Sequence, residues 1–526
     1  MAKTHPKIVI NLGLKAYPDI IVADAGTEEV NGTYVFSSTL NGRPHYVSQK
    51  GCRIQFTSLM VVQWDILCSN NIRVYSANDD ALTPDLVETW FEVNGDLPVP
   101  ELSVGNEEDI VVFEENDIVS ANVVQEVNPI SVELPISTLT FSIHSRDIKY
   151  SMFAMGKFQD KLSRRMPVLC YEIIDSSEHL IGLFYLDEWK NVSEWEFEFD
   201  AVDLIGLLER EKFLGLFYDE PTTVENILND VLSDITENYE IVEEVKSIEL
   251  QGWITPGTYR DALRQVLFAA QAAAVTAKSD KICITKTRYP VNDQIYDYDI
   301  SKSYMLMGRS VDLLPMVTSM EFTTHDWIAS DIDETLFEGT VGEGTFEFRF
   351  DKPYYDYDVI GEQKVISSFG PNHIIITSNE ESELIVRAKP YLDATNKYIY
   401  ENPLSTEDDK RNDLAVEEAY LINPTWASSG IVEDIMVYFM QRHRQDFETF
   451  GESSLDINLM DMPVVSSLYD QEIRGIIKRL VIDLTGGFRV KAYVVGVEHS
   501  VQLTYIGTED GRVLATEDYR RLIVRR

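Results

Sequence analysis

The sequence predicts an α+β fold, mainly β. It reads as two antiparallel β sections, an intervening helical unit and one small inserted β domain. Three observations carry this. Short runs with period-two alternation, bounded by Gly, Asn and Pro, fill residues 1–205 and return over 310–400 and near the C-terminus. Helical periodicity is concentrated in 220–290. The chain has 526 residues, enough for three or four domains at roughly 150 residues each.

The first element is Lys7-Ile-Val-Ile-Asn-Leu-Gly13, which alternates and breaks at the glycine. It reads as a strand entering a hairpin, with Asp19–Val22 as the return strand. Residues 25–105 change texture: Asn-Gly turns separate short aromatic strands around Tyr34, Tyr46, Val61–Leu67 and Ile72–Tyr75. This is a self-contained β module. Its Tyr34, Arg43, Tyr46 and Trp64 are candidate ligand contacts if exposed. The competing reading places the aromatic rings in the module's core. Residues 101–140 hold nine acids and no Lys or Arg. Their apolar, β-branched runs at 118–124, 130–134 and 139–143 still favour strands. In Trp195-Glu-Phe-Glu-Phe-Asp200, apolar residues take one face and acids the other, as in a half-buried antiparallel strand.

The period then changes. Thr222-Thr-Val-Glu225 fits a capping box, and Val224, Ile227, Leu228, Val231, Leu232 and Ile235 follow at helical spacing. A second helix is expected from the Thr258 cap with Asp261 through the alanine-rich run to Ala277. Strand Ile282–Thr285 closes this unit. Residues 310–400 return to strands, of which Phe346–Phe350 is the clearest. A polar linker spans 404–414, and a third helix is expected from 429 to about 447. The final hairpin is the most specific signal: Gly475–Leu484, a Thr-Gly-Gly turn, then Phe488–Val497. Four arginines, Arg520, Arg521, Arg525 and Arg526, end an otherwise acidic chain.

Charge excludes several functions. With 88 Asp and Glu against 45 Lys and Arg, the formal charge is −43, which repels phosphate backbones and anionic membranes. The longest apolar helical run, 266–277, is shorter than the ~20 residues a membrane span needs. No signal peptide is evident, so the chain is expected to be made intracellularly. Cys52, Cys68, Cys170 and Cys283 are scattered without a CxxC pair, and are expected as buried thiols rather than a disulfide scaffold or zinc site. The eight histidines form no zinc motif, and no phosphate-binding glycine loop or nucleophile elbow occurs. Asp331-Ile-Asp333-Glu-Thr335 fits the DxDxT pattern of haloacid-dehalogenase-type phosphotransferases. It lies mid-chain in β-rich surroundings, where that chemistry does not belong. Calcium ligation around Asp331, Asp333 and Glu334, or around Asp293, Asp297 and Asp299, lacks an EF-hand spacing. No catalytic residue, metal or cofactor is expected, and the chain reads as a non-enzyme.

Residues 195–208 resemble the end of the first barrel in tail hub proteins of contractile phages, long non-contractile phages and phage-tail-like bacteriocins. Glu225–Leu232 and Leu250–Leu267 resemble the helical unit that follows it, and Gly475–Phe488 the closing hairpin of the second barrel. The stretch 25–105 is similar to a small NGxY…NGRPxY…W module, placed after the first hairpin. The resemblance implies two tail-tube-like barrels: 1–24 with 106–220, and 291–410 with 450–526. Between them lie the helical unit at 221–290 and a helix at 411–449 packed on the second barrel. It further implies a homotrimeric baseplate hub, a pseudo-sixfold ring joining a sixfold tail tube to a threefold spike around a central channel. The implied partners are the tube or tube-initiator protein, the spike or tail tip, the tape measure protein and the baseplate wedges. Nucleic acid would only pass through the channel, and no membrane insertion is implied. The implied location is a virion or bacteriocin particle, assembled in the bacterial cytoplasm. Acids lining the channel would keep DNA from binding its wall. The alternative is a cell-surface polysaccharide-binding protein that uses the 25–105 module.

Overall fold

The computed structural model describes residues 4–505 and 523–524, apart from 13–16, 42, 58–61, 69–70, 80, 82, 88, 106–109, 129–132, 147–161, 176, 234, 288–296, 301–309, 315–317, 362–363, 402–413, 424–442, 451–456, 467–471, 486 and 500–503. The fold is mainly β. Its centre is a 13-stranded sheet to which both ends of the chain contribute.

Strand Thr4–Asn11 does not form a hairpin with the residues at 20. It lies between Ile110–Phe113 and Pro167–Ile174, pairing Ile8 with Phe113 and with Cys170. Ile20–Ala23 belongs to a different, eight-stranded sheet, where it pairs with Gly32–Leu40 and Glu101–Val104. The small module therefore starts before residue 25 and interrupts the hairpin Thr4–Asn11/Ile110–Phe113, rather than following it.

The first half of the central sheet continues through Ser177–Asn191, Glu196–Val202, Thr138–His144 and Ile118–Glu126. The second half is Glu472–Asp483, Arg489–His499, His443–Phe450 and Ser310–Leu313, with Pro463–Ser466 and Tyr298–Ile300 beside it. The halves join where Ile118–Glu126 pairs antiparallel with Glu472–Asp483, Asn122 opposite Asp483 and Glu126 opposite Arg479. One apolar core runs under both. It takes Phe113, Phe141, Phe197 and Phe199 from the first half, and Phe447, Leu480, Phe488 and Val490 from the second. Phe141 and Phe199 stack at 4.9 Å. The expected alternation of 195–200 is present, with Phe197 and Phe199 inside and the acids outside.

The expected C-terminal hairpin forms, with Asp483 opposite Arg489. The helix expected over 429–447 falls mostly outside the described residues, and its end is strand. His443–Phe450 pairs with Arg489–His499, and Phe447 enters the core while its neighbour Asp446 takes the other face. That spacing is period two, not 3.6.

The helical unit packs α1 (Leu204–Leu208), α2 (Val224–Leu232), α3 (Glu243–Lys246) and α4 (Tyr259–Ala270) around one core with short strands. The cap of α2 is Thr223 rather than Thr222, and no side chain bonds there. The Thr258–Asp261 capping box of α4 is present in both directions. The alanine run does not stay helical. Gln271 takes a left-handed conformation (φ 51°) and Ala272–Val275 continues as a strand beside Ile282–Lys286. A left-handed residue ends a helix because the next N–H groups turn back on its last carbonyls. Gln271 donates its N–H to Leu267 and Phe268.

Residues 319–422 form a further β unit, set between Ser310–Leu313 and His443–Phe450 of the central sheet. Four strands join the long Ser382–Glu401 in one sheet, and three more pair as Gly344–Arg349, His373–Ser378 and Lys364–Gly370. Their shared core holds Val341, Ile374, Ile376, Leu384 and Val386. The second half of the central sheet is thus drawn from 298–313 and 443–499.

Candidate functional site

The aromatic candidates of the small module are its core. Tyr34, Tyr46 and Trp64 are fully buried. Tyr34 donates to the Val30 carbonyl at 2.8 Å and Trp64 to Ala81 at 2.9 Å. Arg43 lies over the Phe56 ring at 5.3 Å. The three buried rings present no face to a ligand. The module also carries a disulfide, Cys52–Cys68, against the expectation of free thiols. Arg53 pairs with Leu67, so strand register sets residues 52 and 68 opposite each other. Cys170 and Cys283 are free. Among the described residues, the one His/Cys/Asp/Glu group close enough to hold an ion is Glu29 with Cys52 and Cys68. Its two sulfurs are already bonded to each other.

The module is docked, not pendant. All eight residues of Pro167–Ile174 are buried, because Val168 and Cys170 face the central core while Leu169, Tyr171 and Ile173 join the module's core. Lys281 Nζ donates to the Thr39 carbonyl at 2.9 Å, and Thr39 also donates to Asp280, tying the module to the helical unit.

The DxDxT residues do not form a phosphotransfer site. Asp331 and Asp333 are exposed between Ser319–Ala329 and Glu334–Val341, which both pair antiparallel with Ser382–Glu401. A nucleophile of that class sits at the end of a parallel strand. Of the other candidate calcium ligands, Asp293 lies outside the described residues. Asp297 is committed to a two-way bond with the backbone of Met462.

The largest functional candidate is a face of the central sheet. Residues directly opposite in an antiparallel ladder share a face. Outward from the core, this places Glu188, Asp200, Thr140, Asn122, Asp483 and Arg489 in one row across both halves. Thr140 donates to Asp200 at 2.8 Å, and Ser120 meets Ser142 at 2.7 Å. The first half of this face is net acidic: Glu188, Glu198 and Asp200 outnumber Lys190, which pairs with Glu198. The second half is mixed: Arg444, Arg479 and Lys491 surround the Tyr493 ring at 4.9, 5.4 and 5.0 Å. Asp446 accepts from Arg444 at 3.0 Å, and this bond raises the guanidinium pKa above its ordinary value.

Both ends of this stretch are strand edges among the described residues. Ser310–Leu313 pairs only with His443–Phe450. Residues 187–191 of the long Ser177–Asn191 strand pair only with Glu196–Val202. This surface was not legible as a site in the sequence. Its residues come from eight strands and share a face only through the register.

The central sheet is fixed to the helical unit by Asp203, which is fully enclosed. It caps α1 by accepting from the Gly206 N–H at 3.0 Å, and accepts also from the Ser137 N–H at 3.0 Å and the Thr276 hydroxyl at 2.7 Å. Burial pushes this carboxyl up, and the hydrogen bonds pull it back.

No protein-family model matches the sequence, and no curated protein matches it. The chain is similar to solved structures of tail proteins. One is a tail protein from Neisseria meningitidis, at 9% identity and TM-score 0.43, covering 73% of this chain and 93% of that one. Another is the 43 kDa tail protein of a Shewanella oneidensis prophage, at 9% identity and TM-score 0.41, covering 73% and 96%. A third is a prophage tail protein from Listeria monocytogenes, at 8% identity and TM-score 0.39, covering 76% and 93%.

Proposed function

We propose that the chain is a structural baseplate hub of a phage tail or phage-tail-like bacteriocin, working as a homotrimeric ring. The observation that carries this is the eight-strand stretch of the central sheet. It has four strands from each half, one apolar core beneath, one polar face and, among the described residues, an open edge at each end. An open strand edge is a template for another chain, and closure into a ring removes it. In this reading the Ser310–Leu313 edge of one copy meets the 187–191 edge of the next. The polar faces then line a channel, and two similar halves per chain turn three copies into a pseudo-sixfold ring.

Such a ring has no chemistry to perform. Its work is to match the sixfold tube protein or tube initiator on one side to the threefold spike or tail tip on the other, with tape measure and wedge proteins as further contacts. The acidic first half of the face would discourage DNA from binding the wall during passage. The residue that the charge argument did not foresee is Tyr493, ringed by cations in the second half. The location in this reading is the baseplate of the assembled particle, built in the bacterial cytoplasm. Mass measurement of the purified full chain tests the assembly directly. The expected species is three times the 60.1 kDa of one chain. A single-chain mass that persists when tube and spike proteins are added would overturn the reading.

A further inference from the structure

Seven strand pairings lead from Ser177–Asn191 to Ser310–Leu313, and all seven are antiparallel. The two end strands therefore run in opposite directions. When the Ser310–Leu313 edge of one copy meets the 187–191 edge of another, that junction is antiparallel too, and the alternation continues unbroken.

The chain already holds one join between halves. There the last strand of the first half carries an acid and the first strand of the second half a base. Glu126 stands opposite Arg479, 3.8 Å away. The open edges repeat this polarity. Ser310–Leu313, the last strand of the second half, places Asp312 on the polar face, opposite Arg444. The first strand of the first half places Lys190 on that face, opposite Glu198. Asp312 and Lys190 are both exposed, the Lys190 side chain by 62%. Leu313 and Trp189 take the core-facing side of their strands. Trp189 is half-buried at the margin of the core, and Leu313 is still 60% exposed.

We propose that Asp312 of one copy stands directly opposite Lys190 of the next, with Leu313 opposite Trp189 on the core side. This rests on the ring reading and fixes its register. Matching polar face to polar face lets the register move only in steps of two residues. One step sets Asp312 against Glu188, and like charges directly opposite destabilise a ladder. The step the other way sets Asp312 against Val192 and Leu313 against Asn191. The register between them gives the acid a base and the leucine a ring. Lys190 then lies between Glu198 of its own chain and Asp312 of the next. An exposed ion pair adds little energy, so its part is to reject the wrong registers. Covering Leu313 with Trp189 carries the apolar core from one copy into the next.

Cysteine pairs in the full chain, alone and with tube and spike proteins, test the register. Directly opposite residues have Cα atoms ~4.5–5.5 Å apart, inside the ~4.4–6.8 Å that a disulfide spans. Asp312→Cys with Lys190→Cys is expected, on mild oxidation, to link three copies into one covalent trimer on a non-reducing gel. Asp312→Cys with Glu188→Cys sets the two cysteines diagonally, about 7–8 Å apart, and is expected to stay unlinked. All three positions are exposed, so unchanged melting temperatures are expected for both variants. A trimer by mass that neither pair links, or that the Glu188 pair links instead, overturns the register and leaves the ring reading standing. A chain that stays single with tube and spike proteins present overturns both.

Discussion

Asp203 shows how much one residue can organise. It is a buried carboxylate with three donors from three parts of the chain: the strand-entry residue Ser137, the first turn of α1 and Thr276. Removing it leaves the Ser137 and Gly206 N–H groups buried and unpaired. Asp203→Ala should therefore lower unfolding stability by about 3 kcal/mol, read as a shifted denaturation midpoint. A change below about 1 kcal/mol would mean that water replaces the carboxylate. The residue scale is also where sequence reading was least able to choose. Tyr34, Tyr46 and Trp64 have the composition of a binding face and of a core alike. Burial alone separates the two, and burial depends on strands far along the chain.

At the scale of elements, two complete local signals held, while a third, the Thr222–Glu225 box, does not form because the cap falls on Thr223. Thr258 and Asp261 cap α4 because both partners of the box lie within four residues. Gly-Gly between two apolar runs made the final hairpin. Signals failed where the partner was distant. Alanine favours helix, yet Ala272–Val275 pairs with Ile282–Lys286 because Gln271 reverses the chain. Residues 443–447 read as helix until the pairing of Phe447 with Ala492 is known. The Cys52–Cys68 bond belongs here too, since hairpin register rather than a cysteine motif makes it. It closes a loop with a sequence separation of 16, for which the chain-entropy model gives about 3 kcal/mol. The double variant Cys52→Ala with Cys68→Ala should lower the module's own melting transition and leave that of the helical unit in place. An unchanged module transition would show that its aromatic core suffices without the bond.

Across the whole molecule, the sequence carried the fold class and the helical unit between two β sections. It did not carry the merging of the two β sections into one sheet, because the seam pairs Asn122 with Asp483 across the length of the chain. Nor did it place the module, whose core extends onto Pro167–Ile174 and makes that strand buried on both faces. The eight-strand stretch of the merged sheet, with its polar face and, among the described residues, an open edge at each end, is the basis for the ring. Electron micrographs of the purified full chain, alone and mixed with tube and spike proteins, test that ring most directly. The account predicts threefold rings with six inner lobes and an open channel lined by the face that bears Asp200, Thr140 and Tyr493. Single-chain particles in every mixture, or rings with that face turned outward, would contradict it.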